Sequence, residues 1–454
     1  MKNNEFLEKE PIGKLLFKLS IPTVIAQLIN MLYNVVDRIF IGHMDEIGDL
    51  ALTGVGVCLP LIMIVSAFAA LISSGGAPRA SIFMGKKDNE TAEKILGNCL
   101  TLQIIISIVL TTVLILFNRP LLMMFGASED TIGYACDYMN IYAIGTIFVQ
   151  LTLGMNAYIT AQGYSKIAMF TVIIGAACNI VLDPILIYGF DMGVKGAALA
   201  TIISQAISST FVIGFLLSNK SILKIKIKNL NLNLKIILPC IALGLAPFIM
   251  QASESIIIVC FNSSLQKYGG DIAVGAMTIL SSVMQFAMLP LQGLAQGSQP
   301  ITSYNFGARN TERVKQTFKL LLIVSVTYST LLYLFIMIFP NGFASMFTDK
   351  KELIDYSSKM LKIYCAVLFM FGIQIACQMT FVSIGNAVSS IIVAVVRKFV
   401  LLLPLIYIMP CIISQKDLAV FSAEPVADFL AVTFTSILFI FQFRNSLKLI
   451  SIKE

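Results

Sequence analysis

The chain has 454 residues, of which 57% are hydrophobic and only 13% are charged. Its mean hydropathy of +0.86 excludes an ordinary soluble globular protein and places the chain in a membrane. The formal net charge of +7 would suit a nucleic-acid partner, but the positive residues follow the pattern of membrane topology, so we expect no nucleic-acid binding.

Several familiar kinds of site are not predicted. The nine cysteines show no C-x-x-C spacing, so neither a zinc site nor a disulfide framework is indicated. The single histidine, His43, follows the first predicted helix and is interpreted as a solvated loop residue. There is no G-x-x-x-x-G-K-[ST] motif and no catalytic constellation, so we expect neither an enzyme nor a cofactor. The charged leader MKNNEFLEKEPIGK and the lack of an A-x-A-like site also predict that no signal peptide is cleaved.

Twelve apolar stretches are each long enough to cross a bilayer as a helix. They cover residues 15–42, 50–76, 92–117, 134–160, 167–190, 194–217, 236–261, 271–297, 315–340, 357–383, 387–411 and 419–443. The predicted fold class is therefore an all-α membrane protein with twelve transmembrane helices.

Lysines and arginines concentrate in the N-terminal leader, in every second connection and at the C-terminus. Positive residues mark the cytoplasmic side, so both termini are predicted to be cytoplasmic. The most basic connection, residues 218–235, separates helix 6 from helix 7. We interpret it as a solvated linker close to anionic lipid, with an interfacial strand or amphipathic segment as the alternative. It divides the chain into an N-terminal lobe, residues 1–217, and a C-terminal lobe, residues 236–454.

The two predicted lobes are related by an internal repeat. The sequence GDLA at 48–51 recurs as GDIA at 270–273, and the same offset of 222 residues aligns Gly75 with Gly297 and Gly85 with Gly307. Six helices per repeat is an even number, so both copies insert the same way up, with a pseudo-twofold axis along the membrane normal. A cavity is expected where the two copies meet.

Asp183 is the first candidate for a functional site, because it lies inside an almost wholly apolar stretch. A carboxylate at that depth is costly and is more often functional than accidental. Asn179 precedes it by four residues and shares its helix face, and Pro184 follows it directly and should loosen the helix beside the acid. The alternative is an acid paired with a lysine or arginine on a neighbouring helix for structure alone.

Helix 1 carries a polar face that predicts contact with a cavity. Asn30, Tyr33, Asn34 and Asp37 are spaced three, four and seven apart. Asp37 and Asp183 are expected at similar depth and in one pocket, where two close carboxylates disfavour double ionisation. Such a pocket suits a transported proton, or Na⁺ held by the oxygens of Asp37, Asn179 and Asp183. For Asp37 the alternative is a local contact with Arg38.

Pro22, early in helix 1, is expected to kink or weaken that helix and to act as a hinge. The C-terminal half offers further polar residues inside predicted helices. These candidates for a substrate cavity are Gln251, Glu254, Gln374, Gln378 and Arg397. Glu254 either attracts a cationic substrate or pairs with Arg397.

Long stretches of the chain resemble the MATE family (multidrug and toxic-compound extrusion) in its bacterial branch. They are IPTVIAQLINMLYNVVDRIFIGH in helix 1, NIVLDPILIYGFDMGVKGAALAT across helices 5 and 6, and AVGAMTILSSVMQFAMLPLQGLAQGSQPITSYNFGARN around helix 8. The resemblance implies two six-helix lobes forming a V-shaped central cavity. It also implies an antiporter in the bacterial cell membrane that exports bulky, often cationic and amphipathic compounds against inward H⁺ or Na⁺.

The resemblance also implies roles for particular residues. The coupling site of the N-terminal lobe maps onto Asp37, Asn179, Asp183 and Thr201, with Tyr138 nearby, and Pro22 matches a proline linked to bending of helix 1. Helix 10 lacks the acid that some members use for sodium, which leaves Glu254 without that companion. We expect small organic substrates and the lipid bilayer as partners, and no obligate protein partner. The alternatives are a flippase of lipid-linked oligosaccharide or polysaccharide precursors, and a channel or receptor.

Overall fold

The computed structural model describes residues 5–44 and 48–451, and within these ranges the chain is helical and contains no strand. Residues 1 and 454, the outer limits of the two predicted lobes, lie outside the described residues. So do two of the positive residues at the termini, Lys2 and Lys453. We number the spans α1 to α12. They are α1 (Ile12–Gly42), α2 (Gly48–Gly85), α3 (Asn89–Leu116), α4 (Ile132–Ile144 and Thr146–Ala161), α5 (Ser165–Pro184, extended by Ile185–Gly189), α6 (Gly193–Leu217), α7 and α8 (within Leu234–Gly307), α9 (Thr311–Ile338), α10 (Lys351–Tyr364 and Phe371–Ser383, joined by Leu368–Met370), α11 (Ala387–Val395, Val396–Leu402 and Leu403–Ile412) and α12 (Lys416–Ser451).

Short helices outside the spans are Glu5–Lys9, Ile227–Asn229, Asn118–Met124 and Pro340–Ser345. The first precedes α1, the second lies between α6 and α7, and the last two follow α3 and α9. The described residues thus show the all-α fold class and the predicted order of twelve spans. We refer to α1–α6 as the N-terminal lobe and to α7–α12 as the C-terminal lobe.

The stretch Leu234–Gly307 contains two spans rather than one. It is 74 residues long, or about 110 Å at 1.5 Å per residue, several times the thickness of a bilayer core. Gly270 interrupts it with φ 64° and ψ −160°, a conformation that is open essentially to glycine alone. The chain therefore turns at Gly270, and α7 covers 234–269 and α8 covers 271–307.

Two equivalent spans are bent where the sequence predicted unbroken helices. The two segments of α4 meet at Gly145 with a bend of 56°, and those of α10 meet across residues 365–367 with a bend of 46°. The 222-residue offset relates Gly145 to position 367. The bend is therefore a feature of the repeated scaffold, and hydropathy alone did not reveal it.

The helix that contains Asp183 departs from regular α-helical geometry directly after Pro184, as the proline predicted. The regular helix ends at Pro184 and continues as a π-helical turn, Ile185–Gly189. Proline lacks the N–H group of a regular helical turn, and a wider turn accommodates that loss. α11 contains a second π-helical segment, Val396–Leu402, which holds two adjacent charged residues.

The lobes pack on each other through glycines. Gly85 of α2 lies against the backbone of Tyr304 in α8, and Gly307 of α8 lies against the backbone of Ile82 in α2. These two contacts exchange under the 222-residue repeat, so the interface has the pseudo-twofold symmetry of the sequence. A side chain at either glycine would overlap the opposite backbone, which explains why the residue there is glycine.

The same type of contact continues along neighbouring helices. Gly75 and Gly244 bring α2 and α7 together, and Gly293 and Gly297 bring α8 and α1 together. All these contacts lie near one end of the molecule. The C-terminal ends of α2 and α8, which lead into residues 86–88 and 308–310, meet the N-terminal parts of α1 and α7 there. We call this end of the molecule, which also carries residues 218–235, the linker side. The lobes are joined there.

The linker between the lobes is exposed over much of its length, as its composition predicted, but one side of it packs on the N-terminal lobe. Gln162, at the end of α4, accepts hydrogen bonds through Oε1 from the backbone N–H groups of Ile222 (2.7 Å) and Leu223 (2.9 Å) and from the Ser221 hydroxyl (3.0 Å). Leu223 is fully buried. Asn98 and Thr101 of α3 bond the carbonyls of Asn229 and Leu230, and Lys226 pairs with Glu93. The linker is therefore a strap packed on the N-terminal lobe.

We predict that Gln162→Ala releases this strap. The change removes one acceptor shared by three donors, each worth about 0.5–1.5 kcal/mol, so local opening of residues 218–235 becomes at least roughly tenfold more frequent. Limited trypsin digestion at the linker lysines measures the opening. Gln316→Ala, at an exposed position of α9, is the matched control, and equal cleavage of the two variants would contradict the role of Gln162.

Candidate functional site

A cavity of about 580 Å³ lies mainly in the N-terminal lobe and reaches the interface between the lobes. Its polar lining comes from α1, α2, α4, α5, α6, α7 and α8. The lining includes Thr23, Gln27, Asn30, Tyr33, Asn34, Asp37, Tyr138, Tyr142, Asn156, Asn179, Thr201, Ser204, Gln205, Gln251, Gln296 and Gln299. The charged side chains of this lining are Asp37 and Arg38.

Asp37 and Asp183 meet at the wall of this cavity. Asp37 of α1 is 8% exposed and lines the cavity, whereas Asp183 of α5 is fully buried behind it. Their carboxyl groups interact directly. The Asn179 amide, one helical turn before Asp183, donates to Asp183 Oδ1 at 3.2 Å. The sequence predicted that these three residues share a pocket, and the structure brings them together.

Oxygen atoms at this point are left without a hydrogen-bond partner among the described groups. They are Asp37 Oδ1, Asp183 Oδ2, Asn179 Oδ1, Ser204 Oγ and Gln205 Oε1. Buried acceptors without donors are costly, and two adjacent carboxylates repel each other. A proton shared between the acids, or a small cation among the oxygens, relieves both problems.

The neighbouring aromatic residues complete the pocket. Tyr138 interacts with Thr201 and stacks on Tyr142, with ring centroids 6.2 Å apart. Tyr33 interacts with Gln205 of α6. Tyr138 and Thr201, which the family resemblance implied, thus lie beside Asp37. Sequence reasoning missed Gln205 and Ser204, because single polar residues in α6 carry no pattern that separates them from ordinary packing.

α1 connects this pocket with the interface between the lobes. Asn30, Tyr33, Asn34 and Asp37 line the cavity as one face, as their spacing predicted. Nearer its beginning, Thr23 donates to the Gly293 carbonyl of α8 at 2.5 Å. Pro22 is buried beside Thr23, and α1 remains one continuous helix from Ile12 to Gly42 despite the proline.

The predicted substrate residues of the C-terminal lobe do not gather around this cavity. Gln251 lines it, whereas Glu254, Gln374, Gln378 and Arg397 are not part of the lining. Gln374 is 1% exposed, and neither polar atom of its side chain has a partner in the described part of the chain. Gln27 of α1 and Gln296 of α8 bridge the two lobes at the cavity, with Nε2 and Oε1 3.1 Å apart.

Two cations and three carboxylates of the C-terminal lobe form one cluster of ion pairs. Glu254 pairs with Lys398 at 2.7 Å. One of the two predicted interpretations had given it Arg397 as its partner. Arg397 instead pairs with Asp428 at 2.8 Å and with Glu424 at 3.6 Å, and its guanidinium lies over the Phe371 ring at 4.6 Å. The π-helical turn of α11 allows the adjacent Arg397 and Lys398 to be buried together.

Glu424 and Asp428 were missed in the sequence, although a signal was present. They lie four residues apart in the apolar stretch of α12, which is the pattern that singled out Asn179 and Asp183. Glu254 therefore has acidic neighbours, but they come from α12 and not from helix 10.

Comparison with known families agrees with this architecture. The MatE family profile matches the chain twice, at residues 22–185 and 246–408, once in each lobe. The chain belongs to the MatE family, the multidrug and toxic-compound extrusion transporters, as the sequence resemblance indicated. It is a multi-span membrane transport protein and not an enzyme.

Among its curated relatives are two staphylococcal proteins named multidrug export protein MepA. The one from Staphylococcus haemolyticus is 24% identical over 428 residues, covering 94% of each chain. The one from Staphylococcus aureus is 24% identical over 404 residues, covering 89% of this chain and 88% of its own.

Solved structures share the fold. A multidrug resistance MATE transporter in an outward-facing conformation superposes with a TM-score of 0.91 at 23% identity, over 98% of this chain and 99% of that one. A MATE structure described as the bent conformation gives 0.92 at 23% identity, over 99% of both chains. These likenesses establish the twelve-helix, two-lobe architecture.

We predict that Arg397→Met destabilises the C-terminal lobe. The change leaves Glu424 and Asp428 buried without their cation, and breaking a buried pair in this way costs about 3–5 kcal/mol. Unfolding in mixed detergent micelles measures the free energy. Adding Asp428→Asn to Arg397→Met should recover part of the loss.

Arg444→Met, at an exposed position of the same helix α12 as Asp428, removes the same side chain without breaking this network and serves as the control. Equal stability of the Arg397 and Arg444 variants would contradict the account of the cluster.

Proposed function

We propose that the protein is a secondary antiporter that exports organic, cationic and amphipathic compounds in exchange for inward protons. The observation that carries the proposal is the contact between Asp37 and Asp183 at the wall of the 580 Å³ cavity. An acid pair that borders the substrate cavity allows one site to respond to both the proton and the substrate.

The mechanism follows from the difference in exposure between the two acids. Asp37 faces the cavity, so it attracts a positively charged substrate when the pair carries a net charge. A proton entering the pair neutralises it and removes that attraction, which favours release of the substrate. Return of the proton on the other side restores the charge. Asn179 holds the Asp183 carboxyl in place throughout through its hydrogen bond.

A proton suits this pair better than sodium as the coupling ion. Two carboxyl groups that interact directly are stabilised by a proton between them and destabilised when both are ionised. Sodium would instead need several oxygen ligands around it. Asp37, Asn179 and Asp183 would supply those oxygens, so sodium coupling is the alternative that the experiments must distinguish.

The lining of the cavity supports an amphipathic cation as the substrate. Its acid is Asp37, and the amides of Gln251, Gln296 and Gln299 and the thioether of Met379 supply polar and adaptable apolar contacts. Glu254 already has Lys398 as its counter-ion, so we assign the attraction of cations to the N-terminal lobe. The names of the staphylococcal relatives, multidrug export proteins, agree with such a substrate range.

A flippase of lipid-linked saccharides is not favoured. Its phosphate-bearing substrates require a basic cavity, and the one basic residue in the cavity lining described above is Arg38. A channel or receptor gives no reason for a pair of carboxyl groups in one lobe. We further propose a bacterial cell membrane as the location, with both termini and the linker side in the cytoplasm, as the positive residues indicate.

We predict that Asp183→Asn abolishes ion-driven export while leaving the protein folded. An amide occupies the same space and bonds Asn179, but it cannot carry a proton between the two sides. Purified variants in liposomes, with export of a fluorescent cationic dye followed under an imposed proton gradient, provide the measurement. Asp49→Asn, the same change at an exposed acid of α2, should behave as the wild type. Full coupled export by the Asp183 variant would remove the proposal.

We predict a different defect for Asp37→Asn. Because Asp37 is the acid that faces the cavity, its neutralisation should weaken binding of a monovalent cationic dye by roughly tenfold, about 1.4 kcal/mol. Binding of a neutral amphipathic compound of similar size should change little. Fluorescence titration of purified protein compares the two ligands, and an equal loss for both would show that Asp37 does not recognise charge.

A further inference from the structure

The segment that precedes α1 is inserted between the two lobes on the linker side. It forms the short helix Glu5–Lys9, in which Leu7 is fully buried. The Phe6 ring lies against Gly163, in the turn between α4 and α5, and a Cβ at Gly163 would overlap that ring. Residues 6–10 are thus anchored in the N-terminal lobe.

The C-terminal lobe holds the same residues through hydrogen bonds to their backbone. Arg313 of α9 donates through Nη2 to the carbonyls of Leu7 (3.0 Å) and Glu10 (2.7 Å). Asn305 of α8 donates through Nδ2 to the Leu7 carbonyl at 3.0 Å and accepts from Arg313 Nε at 3.1 Å. One guanidinium therefore acts as a planar fork with charge-assisted bonds: Nη2 holds two carbonyls one helical turn apart, and Nε holds Asn305.

Lys87 adds a second connection between the lobes. It lies just after α2, and its Nζ contacts Glu8 Oε2 at 3.1 Å and the hydroxyl of Tyr304 in α8 at 2.9 Å. Both partners raise the pKa of Lys87, the Tyr304 hydroxyl more strongly than the Glu8 carboxylate. Residues from α8, α9 and the turn after α2 thus converge on five residues of the leader.

The scaffold itself does not require this arrangement. Under the 222-residue repeat, Asn305 corresponds to Phe83 and Arg313 corresponds to Thr91, so the amide and the guanidinium that bind the leader backbone have no equivalent in the N-terminal lobe. The glycine contacts on the same side occur in symmetric pairs and make no charge-assisted bonds. The leader contacts are an addition to the symmetric interface. Because the leader is anchored in the N-terminal lobe, its bonds to α8 and α9 must break when the lobes separate there.

We propose that residues 6–10, together with Lys87, Asn305 and Arg313, form a latch that holds the transporter closed on the linker side. Arg313 is its central positioning residue. The latch sets how often the linker side opens, and so the rate of the conformational return step. The inference rests on the proposed alternation between two openings.

Two native cysteines report on the state of this interface. Cys99 of α3 and Cys240 of α7 interact across the two lobes, and they are 0% and 1% exposed. Opening of the linker side would expose both thiols to a small alkylating reagent. Cys411 at the far end of α11 is exposed and serves as an internal reference.

The test is the rate of alkylation by N-ethylmaleimide in the purified full chain, without substrate or ion gradient, read for each cysteine by peptide mass spectrometry. Arg313→Gln should accelerate modification of Cys240 and Cys99 by roughly tenfold, the shift expected from losing charge-assisted hydrogen bonds. Arg313→Lys, which keeps the charge but loses the fork, should give an intermediate rate. The Cys411 rate should stay constant.

Lys315→Gln is the matched control, because it makes the same charge change at an exposed position of α9. Glu8→Gln provides a second variant that leaves the C-terminal lobe untouched, and it should give a smaller acceleration. Equal rates for wild type, Arg313→Gln and Glu8→Gln would overturn the latch, as would equal acceleration by Lys315→Gln. The readout needs no transport, so a positive result combined with a failure of gradient-driven export would refute the proposed antiport and leave the latch intact.

Discussion

Two carboxyl groups in contact inside a membrane are the constraint on which this molecule depends. Each would be costly there alone, and together they need either a proton or a cation. Their position is fixed by α1 and α5, with Asn179 holding Asp183 and a π-helical turn directly after Pro184. α1 continues from Asp37 to Thr23, which bonds α8, and then to the leader that both lobes hold. A change of charge at Asp37 therefore acts on the helix that also joins the lobes.

The two lobes share a scaffold but use their charges differently. In the C-terminal lobe, Arg397 and Lys398 each have a carboxylate partner within the lobe, so the charges there stabilise one another. In the N-terminal lobe, the Asp37–Asp183 pair keeps oxygens without partners among the described residues. A satisfied network suits a rigid support, and an unsatisfied pair suits a site that exchanges ions. Under the 222-residue repeat, Asp37 and Asp183 correspond to Val259 and Leu405, so the acid pair belongs to one lobe and the two lobes divide the work between them.

Local patterns predicted what is local in this structure. Apolar stretches predicted the twelve spans, the 222-residue offset predicted two equivalent lobes, and Pro184 predicted the loosened helix. What the sequence did not reveal depends on partners far apart along the chain. Gln162 binds the linker, Lys398 rather than Arg397 reaches Glu254, and Arg313 reaches the leader, and none of these pairings follows from periodicity. Glu424 and Asp428 are different, because their spacing within an apolar stretch was a readable signal.

The central claim is that protons drive export through the Asp37–Asp183 pair. The most direct test is export of ethidium from liposomes that contain the purified protein, with a proton gradient and a sodium gradient imposed separately. We expect the proton gradient alone to drive export and the sodium gradient to have no effect. Export driven only by sodium would contradict the proton mechanism and show that the same oxygens bind a metal cation. Export driven by neither gradient would contradict antiport by this chain altogether.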